Sequence, residues 1–261
     1  AMREKGELPT GKKVAGKADF FIAAADVPID PPAGWEPKSL KAKIAAFEAI
    51  SAPAPSRALI ASTTSTFDAD QLSRHVREPE RFMNAHWLNP AHLMPLVEVS
   101  PCSRTSTESI AQLRELLTSI GKVPVVCKSS PGYIVPRTQA LAMNEAARLV
   151  EEGVASAEDI DTAVRTGFGL RFAVLGLLEF IDWGGGDILY YASKNLAENL
   201  DPARFAAPAV VSNNMQDAKR GLRDGEGFYD YRNTNVGQYR DQRLAAFVAL
   251  LRHRNLMPVG G

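Results

Sequence analysis

Apolar positions along the chain fall first into short continuous runs and later into stripes of helical spacing. The first run of strand length is DFFIAA (Asp19 to Ala24), and the segment after it, VPIDPPAGWEP, holds four prolines that forbid a helix. From Pro37, a residue tolerated in a first helical turn, Leu40, Ile44, Phe47 and Ile50 recur at helical spacing until APAP ends the segment. ALIAS (Ala58 to Ser62) predicts a second strand. The hydroxyl-rich TTST then leads to Asp68, an N-cap for a helix over DADQLSRHV. FMNAHW and PLVEVS predict two more strands, separated by the turn-rich LNPAHLM. The order strand, helix, strand, helix, strand, strand argues an α/β layer with parallel strands.

From Ser106 the pattern changes. Ile110, Leu113, Leu117 and Ile120 form a helical stripe closed by Gly121, and VPVVCK predicts one last strand. Beyond SSPGYIV nearly everything reads as helix. A long one runs from about Pro136 to Glu152 with Gly153 behind it, and another is capped at SAEDIDTAV, where Ser156 and Asp159 have capping-box spacing. LGLLEFIDW, DILYYASKNLAENL, PAVVSNNMQDA and YRDQRLAAFVALLRH follow. The boundary is expected near residues 128 to 132, giving an α/β domain over 1–130 and a helical domain over 131–261. No repeat of 20 to 50 residues points to a solenoid.

Composition narrows the class. Hydrophobic residues make up 45% of the 261 and charged residues 23%, ordinary for a globular chain. The 30 Lys and Arg balance 30 Asp and Glu, which argues against nucleic acid or an anionic membrane surface as partner. With no long apolar stretch and no apolar run after the charged start, the expected location is the cytoplasm. Cys102 and Cys127 lie 25 residues apart in no metal-ligand spacing, so they are expected to be reduced and buried, with no metal bound.

Among the four histidines, His75 and His253 sit on charged helical stretches and His92 in a loop. His86 ends a predicted strand, and Glu98 follows twelve residues later in the next, a spacing that lets adjacent strands bring imidazole and carboxylate together. Such a pair makes a general base, because the carboxylate fixes the tautomer and stabilises the imidazolium. A hydrogen-bonded structural histidine is the alternative. Asn89 in HWLNP reads as a loop-shaping amide. No GxGxxG exists: Gly167 and Gly169 in TGFGLRF follow a helix, and Gly184 to Gly186 read as a turn between helices.

The runs ASTTSTFDADQLSRHVREPERFMNAHWLNPAHLMPLVEVSPC, GKVPVVCKSSPGYIVPR, MNEAARLVEEGVASAEDIDTAVRTGFG and GLRDGEGFYDY, in that order, resemble the L-3-hydroxyacyl-CoA dehydrogenase family over about residues 19 to 231. The resemblance implies a Rossmann-type NAD domain followed by an all-helical C-terminal domain like that of 6-phosphogluconate dehydrogenase, which makes a homodimer and closes over the substrate. It implies NAD-dependent oxidation of a 3-hydroxyacyl-CoA to the 3-ketoacyl-CoA. His86 would be the base on the 3-hydroxyl, Glu98 would orient it, and Ser65 in STTST would hydrogen-bond the substrate oxygen. Two departures bear on substrate. Pro136 in GYIVPR stands where the family usually has an Asn donor, and RFAVLGLLE (Arg171 to Glu179) looks closer to relatives acting on a sugar acid or carnitine. A dehydrogenase of a 3-hydroxy acid without CoA, and a non-catalytic dimerisation or acyl-binding remnant, are therefore the alternatives. The glycine-rich first half of the Rossmann domain is not among these residues, so the chain as written is expected not to bind NAD at micromolar concentration.

Overall fold

The computed structural model describes residues 20–23, 40–64 and 67–257. The proline-rich loop after the first strand and the helix start at Pro37 lie outside the described residues. Two compact units emerge, one up to Glu145 and one from Ala146 onward.

In the first unit, strands β1 (Phe20–Ala23), β2 (Leu59–Ser62), β3 (Phe82–Trp87), β4 (Leu96–Pro101) and β5 (Val123–Val126) form one sheet in that spatial order. Helices α1 (Leu40–Ser51), α2 (Ala69–Ser73) and α3 (Thr107–Ser119) connect them. Strands β1 to β3 run parallel, as the alternating order implies. The last two strands differ from that expectation: β4 is antiparallel to β3, and β5 is parallel to β4. The cause lies in the connection, since residues 88–95 join β3 to β4 with no crossover helix, and a short link returns the chain antiparallel. α3 supplies the crossover for the final parallel pair.

The pleat divides the core into two faces. Leu59, Ala61, Met83, Ala85, Val97 and Val99 meet Leu113 and Leu117 of α3. Ile60 and Phe82 point the other way and pack with Phe47 of α1, Leu72 of α2 and Cys102. Local signals fix the helix ends: Asp68 accepts from the amide of Asp70, and Ser106 from that of Ser109. Gly121 closes α3 at φ +79.

In the second unit the chain is helical, with α4 (Val135–Glu151) crossing the division between the units. After it come α5 (Ala157–Ala163), α6 (Gly169–Val174), α7 (Leu177–Gly184), α8 (Gly186–Asn199), α9 (Pro202–Phe205), α10 (Ala209–Gln216) and α11 (Val236–His253). Ser156 caps α5 by accepting from the Asp159 amide. Gly167 falls in a π-helical turn, Val164–Phe168, and Gly169 opens α6, while Gly184 to Gly186 make the turn from α7 to α8. Neither glycine group forms a phosphate cradle after a strand. The GLRDGEGFYDY segment wraps a buried carboxylate. Asp182 of α7 accepts from the amides of Phe228 and Tyr229 at 3.0 and 2.9 Å. No helix among the described residues is long and apolar enough to cross a membrane.

Candidate active site

The polar residues of the sheet collect on the face that carries α1 and α2. Ser62, Asn84, His86, Glu98 and Ser100 share the parity of Ile60 and Phe82, so they continue that face toward the carboxyl ends of β2 and β3. His86 and Glu98 are direct cross-strand partners in the antiparallel pair, which is why a twelve-residue separation brings them together. The imidazole Nδ1 lies 2.8 Å from Glu98 Oε2.

A carboxylate only accepts, so the Nδ1 proton sits on the histidine and Nε2 carries the lone pair. Glu98 is wholly buried and His86 is 8% exposed. The other carboxylate oxygen, Oε1, accepts from the backbone amides of Ile134 and Val135 at 2.9 and 2.8 Å. Glu98 thus lies at the N-terminus of the 17-residue α4, where unsatisfied amides and the helix dipole favour an anion. This second attachment was not legible in the sequence, where SSPGYIV marks only the expected domain boundary; a carboxylate inside an apolar strand was the available signal.

Ser65 lies outside the described residues. The carbonyls on either side of it are both tied: Asn84 Nδ2 donates to Thr64 at 2.9 Å, and the Tyr133 hydroxyl donates to Phe67 at 3.2 Å. Asn89 sits in the β3 to β4 loop, and Pro136 is the second residue of α4, half-buried and with no donor of its own. His92 is in the same loop as Asn89, while His75 pairs with Glu48 at 3.1 Å and His253 ends α11. Cys102 is buried. Burial, then the charge of Glu98, pushes the Cys127 thiol up, so it remains a thiol.

Two family models match the chain. Residues 35–130 match the 3-hydroxyacyl-CoA dehydrogenase NAD binding domain, and residues 132–231 match the C-terminal domain of the same family. The chain belongs to the 3-hydroxyacyl-CoA dehydrogenase family. Among its relatives is the 5-formyl-3-hydroxy-2-methylpyridine 4-carboxylate 5-dehydrogenase of Mesorhizobium japonicum, 33% identical over 83% of this chain and 70% of that one. The 3-hydroxyadipyl-CoA dehydrogenase of Escherichia coli is 34% identical over 81% of this chain and 43% of that protein. The mitochondrial hydroxyacyl-coenzyme A dehydrogenase of Sus scrofa is 34% identical, over 75% of this chain and 62% of that one. A solved 3-hydroxyacyl-CoA dehydrogenase from Archaeoglobus fulgidus superposes with a TM-score of 0.72 at 28% identity, covering 92% of this chain and 78% of that one. The chain therefore spans from under half to about three quarters of the length of these relatives.

The matched domain is an NAD binding domain, and the donor set suits the reacting end of that cofactor. The carboxyl ends of parallel strands are where open α/β sheets bind ligands, and here Ser62 ends the strand that pairs with the one carrying His86, with Thr63 and Thr64 following it. No glycine-rich turn from strand to helix occurs among the described residues, so the fit concerns the nicotinamide end alone.

Proposed function

We propose that the protein is an NAD-dependent 3-hydroxyacyl-CoA dehydrogenase in which His86 takes the proton of the 3-hydroxyl and Glu98 orients it. The observation that carries this reading is the buried His86–Glu98 pair, joined at 2.8 Å at the carboxyl end of β3. NAD, when bound by the residues at the ends of β2 and β3, supplies the hydride acceptor. His86 Nε2 accepts the hydroxyl proton, and the imidazolium that forms is stabilised by the carboxylate on Nδ1. Because Glu98 is anchored by two amides, the imidazole is held in place before substrate arrives, which favours the reacting geometry. Ser65 is assigned the hydrogen bond to the substrate oxygen through the family resemblance.

The thioester is the proposed substrate, supported by the CoA substrates in the names of the Escherichia coli and Sus scrofa relatives. A free 3-hydroxy acid is the competing substrate; the substrate in the name of the Mesorhizobium relative carries no CoA. Formation of NADH decides between them, followed by absorbance in a form of the protein extended upstream by a glycine-rich strand-turn-helix unit, with a 3-hydroxyacyl-CoA and separately with its hydrolysed acid. Turnover of the thioester alone is expected; turnover of neither overturns the dehydrogenase reading.

The protein is further proposed to act as a homodimer through its helical region, since neither α4 nor α11 has a buried residue. Residues 1–130 are assigned to the cofactor and 131–261 to substrate and assembly, and the proposed location is the cytoplasm.

A further inference from the structure

Tyr133 holds a backbone conformation that its side chain disfavours. Its φ is +42, in the left-handed region, where a bulky residue is a genuine outlier that its surroundings must hold in place. The residue is 5% exposed. Its ring centroid lies 5.8 Å from that of the His86 imidazole, with the planes inclined at 35°. Its hydroxyl donates to the carbonyl of Phe67. Burial, then Cys127, which is ionised only at the high pH where a phenol titrates, and then the charges of Asp68 and Glu98 push the phenol well up, so the hydroxyl stays a donor. The next two residues give their amides to Glu98. One strained residue thus joins the imidazole, the amides that hold its carboxylate, and the chain at Phe67.

We propose that Tyr133 is a positioning residue for the base: its ring holds the plane of the His86 imidazole against Glu98, and its hydroxyl ties the chain at Phe67 to the same aromatic unit. This deepens the reading of His86 as proton acceptor and rests on it. Ring and hydroxyl do separable work, so two substitutions divide them.

In the full chain, the Nδ1 proton of His86 is expected as a downfield, slowly exchanging NMR signal, assigned by its loss in His86→Gln. Neither substrate nor cofactor is needed to read it. Tyr133→Phe keeps the ring, so the signal should persist while amide deuterium uptake between Phe67 and Leu72 accelerates. Tyr133→Leu removes the ring, so the Nδ1 proton should exchange about tenfold faster, and in the form extended by a glycine-rich unit kcat should fall about tenfold with KM little changed. An unchanged Nδ1 signal in Tyr133→Leu, or unchanged uptake over Phe67 to Leu72 in Tyr133→Phe, overturns the proposal. Absence of the signal from the unaltered chain overturns it too, because no imidazole would be held. If Tyr133→Leu does not fold, the uptake measurement on Tyr133→Phe decides. If the chain gives the expected spectra but its form extended by a glycine-rich strand-turn-helix unit makes no NADH, the dehydrogenase reading is overturned and the positioning role stays intact.

Discussion

A carboxylate with no exposed surface must find all its hydrogen bonds inside the protein, and Glu98 finds three: one imidazole N–H and two backbone amides. Glu98→Gln keeps the shape and an oxygen for the amides but loses the charge that stabilises the imidazolium. In a form of the protein that also carries the glycine-rich unit, steady-state kinetics are expected to show kcat lower by ~10² or more with KM little changed. Glu98→Ala leaves the amides and imidazole without a partner, at about 1 to 3 kcal/mol each when buried. It should lower the urea midpoint far more than Glu98→Gln does; equal midpoints would remove the helix-anchoring role. The His86–Glu98 pair was legible from spacing because cross-strand register is a short-range property of adjacent strands. Tyr133 was not: its contacts with His86 and Phe67 join positions 47 and 66 residues apart, which no local pattern encodes.

The elements show where local chemistry suffices. Asp68 and Ser156 cap the helices that the sequence assigns to them, and Ser106 caps α3 in the same way, because a cap is a bond between residues two or three apart. Strand direction at β4 escaped, since apolar alternation is blind to direction and only the missing crossover helix reveals it. Close approach escaped as well. A Cβ on Gly221, at φ +102, would lie 2.3 Å from the carbonyl oxygen of Asp182, whereas one on Gly225, at φ +78, meets nothing nearer than Arg232 Cγ at 3.7 Å. Gly221→Ala should therefore destabilise the chain by about 2 to 5 kcal/mol, and Gly225→Ala only by about 1 to 2. Urea unfolding of the two variants checks the difference, and equal losses would contradict the packing against Asp182.

Acid should loosen the start of α2 for a separate reason. The Ser103 amide, 2.6 Å from Asp70 Oδ1, holds that carboxyl below its ordinary value of 3.8, with Arg104 and Arg74 adding to the effect. A depressed folded value means that the stabilisation is complete above the ordinary value and is lost as pH falls through the folded one. The gap in urea midpoint between the unaltered chain and Asp70→Asn should accordingly shrink from about pH 6 to about pH 3. A gap that does not change with pH would show that Asp70 stabilises the loop as a neutral acceptor.

At the scale of the molecule, the helices hold more apolar surface than the described residues cover. Leu178 of α7, Ile188 and Tyr191 of α8, and Leu244 of α11 are 46, 62, 61 and 53% exposed. Scattered apolar residues are normal, but two helices of 17 and 18 residues with none buried keep apolar side chains that the described residues do not cover. A helix of that length gains most of its stability from packing an apolar face, so these faces need a cover. A second copy, the proposed partner, would bring an identical surface and close the assembly with a two-fold axis. Light scattering at micromolar concentration is expected to give twice the mass of one chain, and the thermal midpoint should rise with protein concentration, as folding linked to association requires. Leu178→Glu with Ile188→Glu would place charges on the proposed interface and should shift the mass toward that of one chain while leaving the His86–Glu98 hydrogen bond in place. A single-chain mass for the unaltered protein, with a midpoint independent of concentration, would rule out the dimer.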